Sequence, residues 1–248
     1  MRANVRLGAA FMLIYLLFLI IQLPARLLIS RLPADISAAQ ATGTLWQGEL
    51  QQVRWRTHSV GNVSWRIGLS ALMPALHLRV QNPDGISAQG KVRGGRTLQF
   101  EQWQLSAPAG YVLSHLPLSV PLSATGRLQL QVQRAAFTRF RCDALVATLS
   151  WRDASLISPL GGVELANPLA TLGCRQGNID AQVRQKSTHL QLSGRGSLTP
   201  SGQYRFAGRL TREDGLPAGL KQLLAAQRNL NARGEMELKV EGRLKPVF

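Results

Sequence analysis

Leu128-Gln129-Leu130-Gln131-Val132-Gln133 alternates apolar and polar side chains without a fault. A period of two gives an extended chain one face for a core and one for water, the pattern of an antiparallel sheet with a wet side. The same period spreads from this stretch in both directions. Upstream, Val63, Trp65, Ile67 and Leu69 alternate with Ser64, Arg66 and Gly68, and Leu76, Leu78 and Val80 with His77 and Arg79. Ile86, Ala88 and Val92 belong to a further strand. Leu98 and Phe100 share one face while Trp103 and Leu105 share the other, which predicts a bulge near Gln102. Downstream, Ile179 to Arg184 and Tyr204 to Leu210 alternate, and Met236, Leu238 and Val240 stand against Glu235, Glu237, Lys239 and Glu241.

Turn signals separate these runs: Asn82-Pro83-Asp84-Gly85, Gly94-Gly95, Gly161-Gly162 and Thr199-Pro200-Ser201-Gly202. The last predicts a hairpin pairing about Leu190–Leu198 with Tyr204–Leu210. Glycine followed by a basic residue recurs at Gly90-Lys91, Gly126-Arg127, Gly194-Arg195, Gly208-Arg209 and Gly242-Arg243. Its spacing is too irregular for a solenoid, and glycine inside a strand marks a bulge, a bend or close backbone approach. One stretch departs from the period of two. Leu220, Leu223, Leu224 and Gln227 recur at helical spacing within 216–230, behind acidic Glu213 and Asp214, which predicts one short amphipathic helix.

The other departure is at the start. Nineteen residues, Leu7 to Ala25, carry no charge and lie between Arg6 and Arg26. As a helix they span roughly 28 Å, close to the thickness of a bilayer hydrocarbon core. The run exceeds the apolar part of an ordinary signal peptide, and Pro24-Ala25-Arg26 makes a poor cleavage site, so a retained anchor is preferred over a cleaved leader. Arg2 and Arg6 on one side nearly balance Arg26 and Arg31 on the other, so these flanks do not set orientation. The expected fold is therefore all-β, a mainly antiparallel, elongated and twisted or curled sheet, with one N-terminal transmembrane helix and one short C-terminal-region helix. The expected segments are 1–6 a cytoplasmic N-terminus, 7–25 the transmembrane helix, 26–40 a juxtamembrane linker and 41–248 a periplasmic β domain, with a candidate sub-boundary near 134–141.

The net charge is +16, from 24 Arg and 5 Lys against 13 acids. The basic residues are scattered singly along strands, as at Arg184, Arg195, Arg205 and Arg209, and no basic helix or aromatic-interleaved patch occurs. That pattern reads as a solvated basic face beside an anionic membrane, with no nucleic-acid partner. Of the two cysteines, Cys142 and Cys174, neither has a nearby His or second Cys, which makes a poor metal site. A disulfide between them suits an exported domain, the alternative being two buried thiols. A disulfide would place the β domain in the periplasm, with the N-terminus inside.

His58, His77, His115 and His189 are isolated, the acids are sparse, and no phosphate-loop, dinucleotide or nucleophile-elbow motif occurs. No catalytic, cofactor or metal site is expected, and an enzyme is disfavoured. The five tryptophans, Trp46, Trp55, Trp65, Trp103 and Trp151, read as sheet core, with an exposed strip for lipid or a partner as the other reading.

Gly43-Thr44-Leu45-Trp46-Gln47-Gly48 opens the β region. A Gly-Thr-Leu-Trp-x-Gly opening soon after a single N-terminal hydrophobic helix resembles protein N of the bacterial type II (general) secretion pathway. Trp65-Arg66 before a Leu-rich stretch, and Leu192-Ser193-Gly194-Arg195-Gly196 leading to Tyr204-Arg205-Phe206-Ala207-Gly208, agree with it. The resemblance covers about residues 5–244, with Gly43, Thr44, Leu45, Trp46 and Gly48 as its motif. It implies a single-pass inner-membrane protein with its bulk in the periplasm. It implies a non-catalytic accessory part of the machine that exports folded proteins, among other platform components, with no active site to carry over. An open sheet edge could also receive another copy. The alternative is a periplasmic lipid-handling protein with an apolar β-groove.

Overall fold

The computed structural model describes residues 2–30, 32–56, 58–70, 73–114, 123–159, 161–188, 190–212 and 235–243. Two compact units divide between Pro83 and Asp84.

The first unit opens with α1 (Arg2–Ile21) and a single turn, α2 (Arg26–Ile29). Five strands follow: β1 (Ile36–Ser37), β2 (Gln40–Gly43), β3 (Gln47–Trp55), β4 (His58–Ser70) and β5 (Met73–Gln81). They are antiparallel in the order β1-β3-β4-β5, with β2 also on β3. The period of two puts Val63, Trp65, Ile67, Leu76 and Leu78 on one face, where they pack around buried Ala25, Leu50 and Val53. Ile29, Ile36 and Ala38, from the stretch read as a linker, cover the same core. The register of β3 slips at Gln52, whose φ is 51°. The backbone N–H freed by the slip donates to Asn62 Oδ1 at 3.2 Å, so the bulge leaves no orphan donor.

The second unit holds β6 (Ser87–Arg93), β7 (Leu98–Pro108), a short α3 (Ala109–Ser114), β8 (Ser123–Thr138), β9 (Arg141–Ser158), β10 (Gly161–Ala166), β11 (Leu169–Arg175), β12 (Asn178–Lys186), β13 (Leu190–Leu198), β14 (Gln203–Arg212) and β15 (Glu235–Arg243). Their order is β6-β7-β8-β9-β11-β12-β13-β14-β15, and β10 folds back on the end of β9. The alternating stretch that opened the sequence lies in β8, paired to β7 and β9. The expected hairpin is β13–β14, from Leu190↔Arg212 to Leu198↔Tyr204. The expected bulge is at Gln102, with φ of 52°, where the register against β6 slips between Gln89↔Gln104 and Lys91↔Glu101. Residues 134–141 form the turn end of the β8–β9 hairpin, closed by Thr138↔Arg141. The helix expected at 216–230, together with His115 and His189, lies outside the described residues.

Register makes this sheet two-faced. One cross-strand row runs Leu105, Leu130, Leu149, Ala170, Val183, and a second runs Trp103, Val132, Ala147, Leu172, Ala181. The opposite face carries Gln104, Gln131, Thr148, Thr171, Gln182 and Arg195 in one row. Glycines on the apolar face make room for rings on the neighbouring strand. A Cβ on Gly90 would collide with the Trp103 indole, one on Gly194 with Phe206, and one on Gly242 with Tyr204. Three of the recurring Gly-basic positions are thus seats for aromatic rings.

Candidate functional site

The segment that carries the resemblance is a joint between α1 and the sheet of the first unit. Gly43 ends β2 with φ of 86°, a left-handed conformation that favours glycine. Thr44 N–H donates to Gln47 O at 2.8 Å, and Gln47 N–H returns to Thr44 Oγ1 at 3.3 Å. Leu45 and Trp46 are therefore the two-residue tip of the β2–β3 hairpin, which closes at Gly43↔Gly48.

Both sides of the tip are tied. Toward the helix, Pro24 bridges Thr44, Ala25 N–H donates to Gly43 O at 3.0 Å, and Leu45 N–H donates to Leu23 O at 2.8 Å. Trp46 Nε1 donates to Ile20 O at 2.9 Å, at the C-terminal end of α1, a carbonyl that also accepts from Leu23 N–H at 3.3 Å. Toward the sheet, Ile67 N–H donates to Trp46 O at 2.7 Å and Trp65 Nε1 to Leu45 O at 2.9 Å. Gly48 lies under the Trp65 ring, where a Cβ would stand 2.6 Å from a ring carbon. Ala25, at the centre, is 0% exposed. All five motif residues thus hold the exit of the helix against the first strands.

α1 itself runs for 20 residues, and every side chain from Phe11 to Ile21 is exposed. Its side chains at 2–7, 9 and 10 are not described, and among the described residues no helix is long and apolar enough to cross a membrane.

Cys142 and Cys174 form a disulfide with a Cα–Cα distance of 5.5 Å. They meet because the β8–β9 and β11–β12 turns are neighbours: Cys142 N–H donates to Gly177 O at 3.0 Å across them. Sequence reasoning missed Gln185, which is buried on β12. Its Nε2 donates to Leu165 O at 3.2 Å and Leu190 O at 3.1 Å, while its Oε1 accepts from Leu192 N–H at 3.1 Å. Nothing in a glutamine at an alternating position signals that role.

Of the tryptophans, Trp65 is core, and the Nε1 of Trp103 and of Trp151 donates to Lys91 O and to Thr125 O, respectively. Those hydrogen bonds fix the rings on the sheet. Two open clefts lie on the polar face of the second unit. One of about 560 Å³ is lined by Arg184, Ser193, Arg195, Arg209, Glu237 and Lys239, and one of about 670 Å³ by Gln131, Thr148, Ser150 and Asp153 among others. Neither brings a His or Cys to a carboxylate, and among the described residues no group of three His, Cys, Asp or Glu could hold a metal ion.

Comparison with known proteins agrees with the motif. The family model described as type II secretion system (T2SS), protein N matches residues 34–239. A type II secretion system protein N of Pectobacterium carotovorum subsp. carotovorum is 47% identical over 245 residues, covering 98% of this chain and 99% of the relative. Proteins of the same name from Klebsiella pneumoniae and Aeromonas hydrophila are 34% and 31% identical, each over 98% of this chain and over 97% and 100% of their own lengths. No solved structure matches the chain. The chain belongs to the type II secretion system protein N family, and is a component of that secretion system.

Proposed function

We propose that this chain is a non-catalytic accessory component of type II secretion, held at the inner membrane by α1 with its β units in the periplasm, supporting export of folded proteins across the outer membrane. Family membership supports the secretion role. The observation that carries the anchoring is the unbroken exposure of Phe11–Ile21 on α1, an apolar surface that water disfavours and a bilayer accepts. Residues 1–6 would stay cytoplasmic, the apolar part of α1 up to Ile21 would span, and the chain from Pro24 and Ala25, which join the first β unit, would be periplasmic. The Cys142–Cys174 disulfide suits that oxidising compartment. The joint gives the anchor a purpose, since it fixes the helix exit to the sheet instead of leaving a free tether. Contacts with other platform components, and self-association through a sheet edge, belong to the same reading.

Deleting the gene and measuring exoprotein in the medium tests the role. Reduced export, restored by the full chain, is expected, and unchanged export in a strain dependent on the system would sink the proposal. Protease added to spheroplasts tests the topology: the β units should be digested while a tag at the N-terminus is protected.

A second reading, lipid handling along an apolar β-groove, is favoured by one observation. The apolar rows of the second unit are mostly half-buried among the described residues, with no large side chain fully buried. Native mass spectrometry of the purified protein decides it: no lipid retained under gentle extraction argues against it.

A further inference from the structure

We infer that β15 is a self-complementary edge through which a second copy of this chain pairs, antiparallel, with the two-fold axis at Val240. Among the described residues β15 is hydrogen-bonded along β14 alone, from Gln203↔Arg243 to Thr211↔Glu235. An open edge of this length is a template for another strand. Val240 is 51% exposed, and the side chains of Glu237, Lys239 and Glu241 are 59%, 79% and 80% exposed.

Charge order selects both the partner and the register. With the axis at Val240, Lys239 faces Glu241 of the second copy and Glu237 faces Arg243 of the second copy. The symmetry repeats both pairs, so all four charged pairs are opposite in sign. Val240 meets itself, and Leu238 meets Gly242. That glycine has the Tyr204 ring beside it, which offers the incoming leucine an apolar surface. Moving the axis to Lys239 sets Lys239 against itself and Glu237 against Glu241. Moving it to Leu238 sets Glu235 against Glu241. Both alternatives oppose like charges, which destabilises a cross-strand pair. A strand whose charges match its own reversed copy fits an isologous dimer. The ion pairs present within the chain, Lys239–Glu237 at 3.1 Å and Arg205–Glu241 at 3.7 Å, are solvent-exposed and give way at little cost.

The test uses purified full-length protein, whose own cysteines are engaged in the disulfide. Directly opposed residues of an antiparallel pair have Cα atoms about 4.5–5.5 Å apart, within disulfide range. Val240→Cys is therefore expected to give a cross-linked dimer under mild oxidation. Glu235→Cys, which the register places roughly 34 Å from its symmetry mate, is expected to give none. Lys239→Glu should weaken dimerisation roughly tenfold, and Lys239→Glu with Glu241→Lys should restore it. Cross-linking of Val240→Cys no better than Glu235→Cys, capture of a different protein, or a double variant as weak as the single one would each overturn the inference. The proposal is separable from the secretion role: a protein that fails these tests yet restores export leaves that role standing.

Discussion

Trp46 reaches from a hairpin tip to the end of a helix and donates its Nε1–H to the carbonyl oxygen of Ile20 at 2.9 Å. The neighbouring backbone bonds, Ala25 N–H to Gly43 O and Leu45 N–H to Leu23 O, make this a joint of several hydrogen bonds in one place. Its rigidity follows from geometry: the chain between Ile20 and Gly48 leaves the helix, turns, and is pinned again before it can relax.

Replacing Trp46 by Phe keeps most of the apolar surface and removes the donor. The cost is about 1 kcal/mol, the net worth of one hydrogen bond. Because the bond lies at the helix exit, limited proteolysis should cut faster between α1 and β2 while the melting temperature of the β units barely moves. Equal cleavage of both proteins would show that the bond does not hold the joint.

Three glycines of the first unit should respond differently to alanine. Gly43→Ala places a Cβ at a φ of 86° and 2.5 Å from Gln47 O, and loses about 1–2 kcal/mol or more. Gly48→Ala drives a Cβ into the Trp65 ring and should cost a similar amount. Gly68→Ala meets nothing within 4 Å and should stay within about 0.5 kcal/mol of the parent. Denaturant unfolding of the purified proteins ranks them.

Cys142→Ser with Cys174→Ser reopens a loop whose ends are 32 residues apart. In the chain-entropy model that lowers stability by about 3–4 kcal/mol. Reductant should lower the melting temperature of the parent protein and leave the double variant unchanged.

Gln185→Leu keeps the volume of a buried side chain and removes its amide. Leu165 O, Leu190 O and Leu192 N–H each lose a bond. Leu190 O keeps its bond from Ser187 N–H at 3.0 Å, so the cost falls on Leu165 O and Leu192 N–H, and a loss of about 1–3 kcal/mol is expected, more than for Gln104→Leu on the exposed polar face. Thermal unfolding of the pair measures the difference.

Much of the β architecture was legible because it is local. Alternation in Leu128–Gln133 specifies a strand with two unlike faces, whatever its neighbours, and the phase slip between Phe100 and Trp103 specifies the bulge at Gln102. The apolar run of α1 and the hairpin at Thr199–Gly202 are read the same way. The short helix α3 carries no periodic signal in six residues and was not legible.

Alternation and turn chemistry alone specified β4 to β8 and β12 to β15 in outline, though not β3, β9, β10 or β11, along with the slip at Gln102 and the family that the opening of the β region resembles. What those residues do for one another follows from how distant segments pack. The Gly43–Gly48 motif reads as a turn until the backbone carbonyls of Ile20 and Leu23 arrive beside it, and no side-chain pattern encodes a distant carbonyl. The glycine at 90 reads as a bend until the Trp103 ring is seen against it. Cys142 and Cys174 read as a candidate disulfide, and the β8–β9 and β11–β12 turns set side by side supply the proximity that joins them. Period and turn chemistry act over a few residues, whereas register and ring seating depend on how distant strands close on each other.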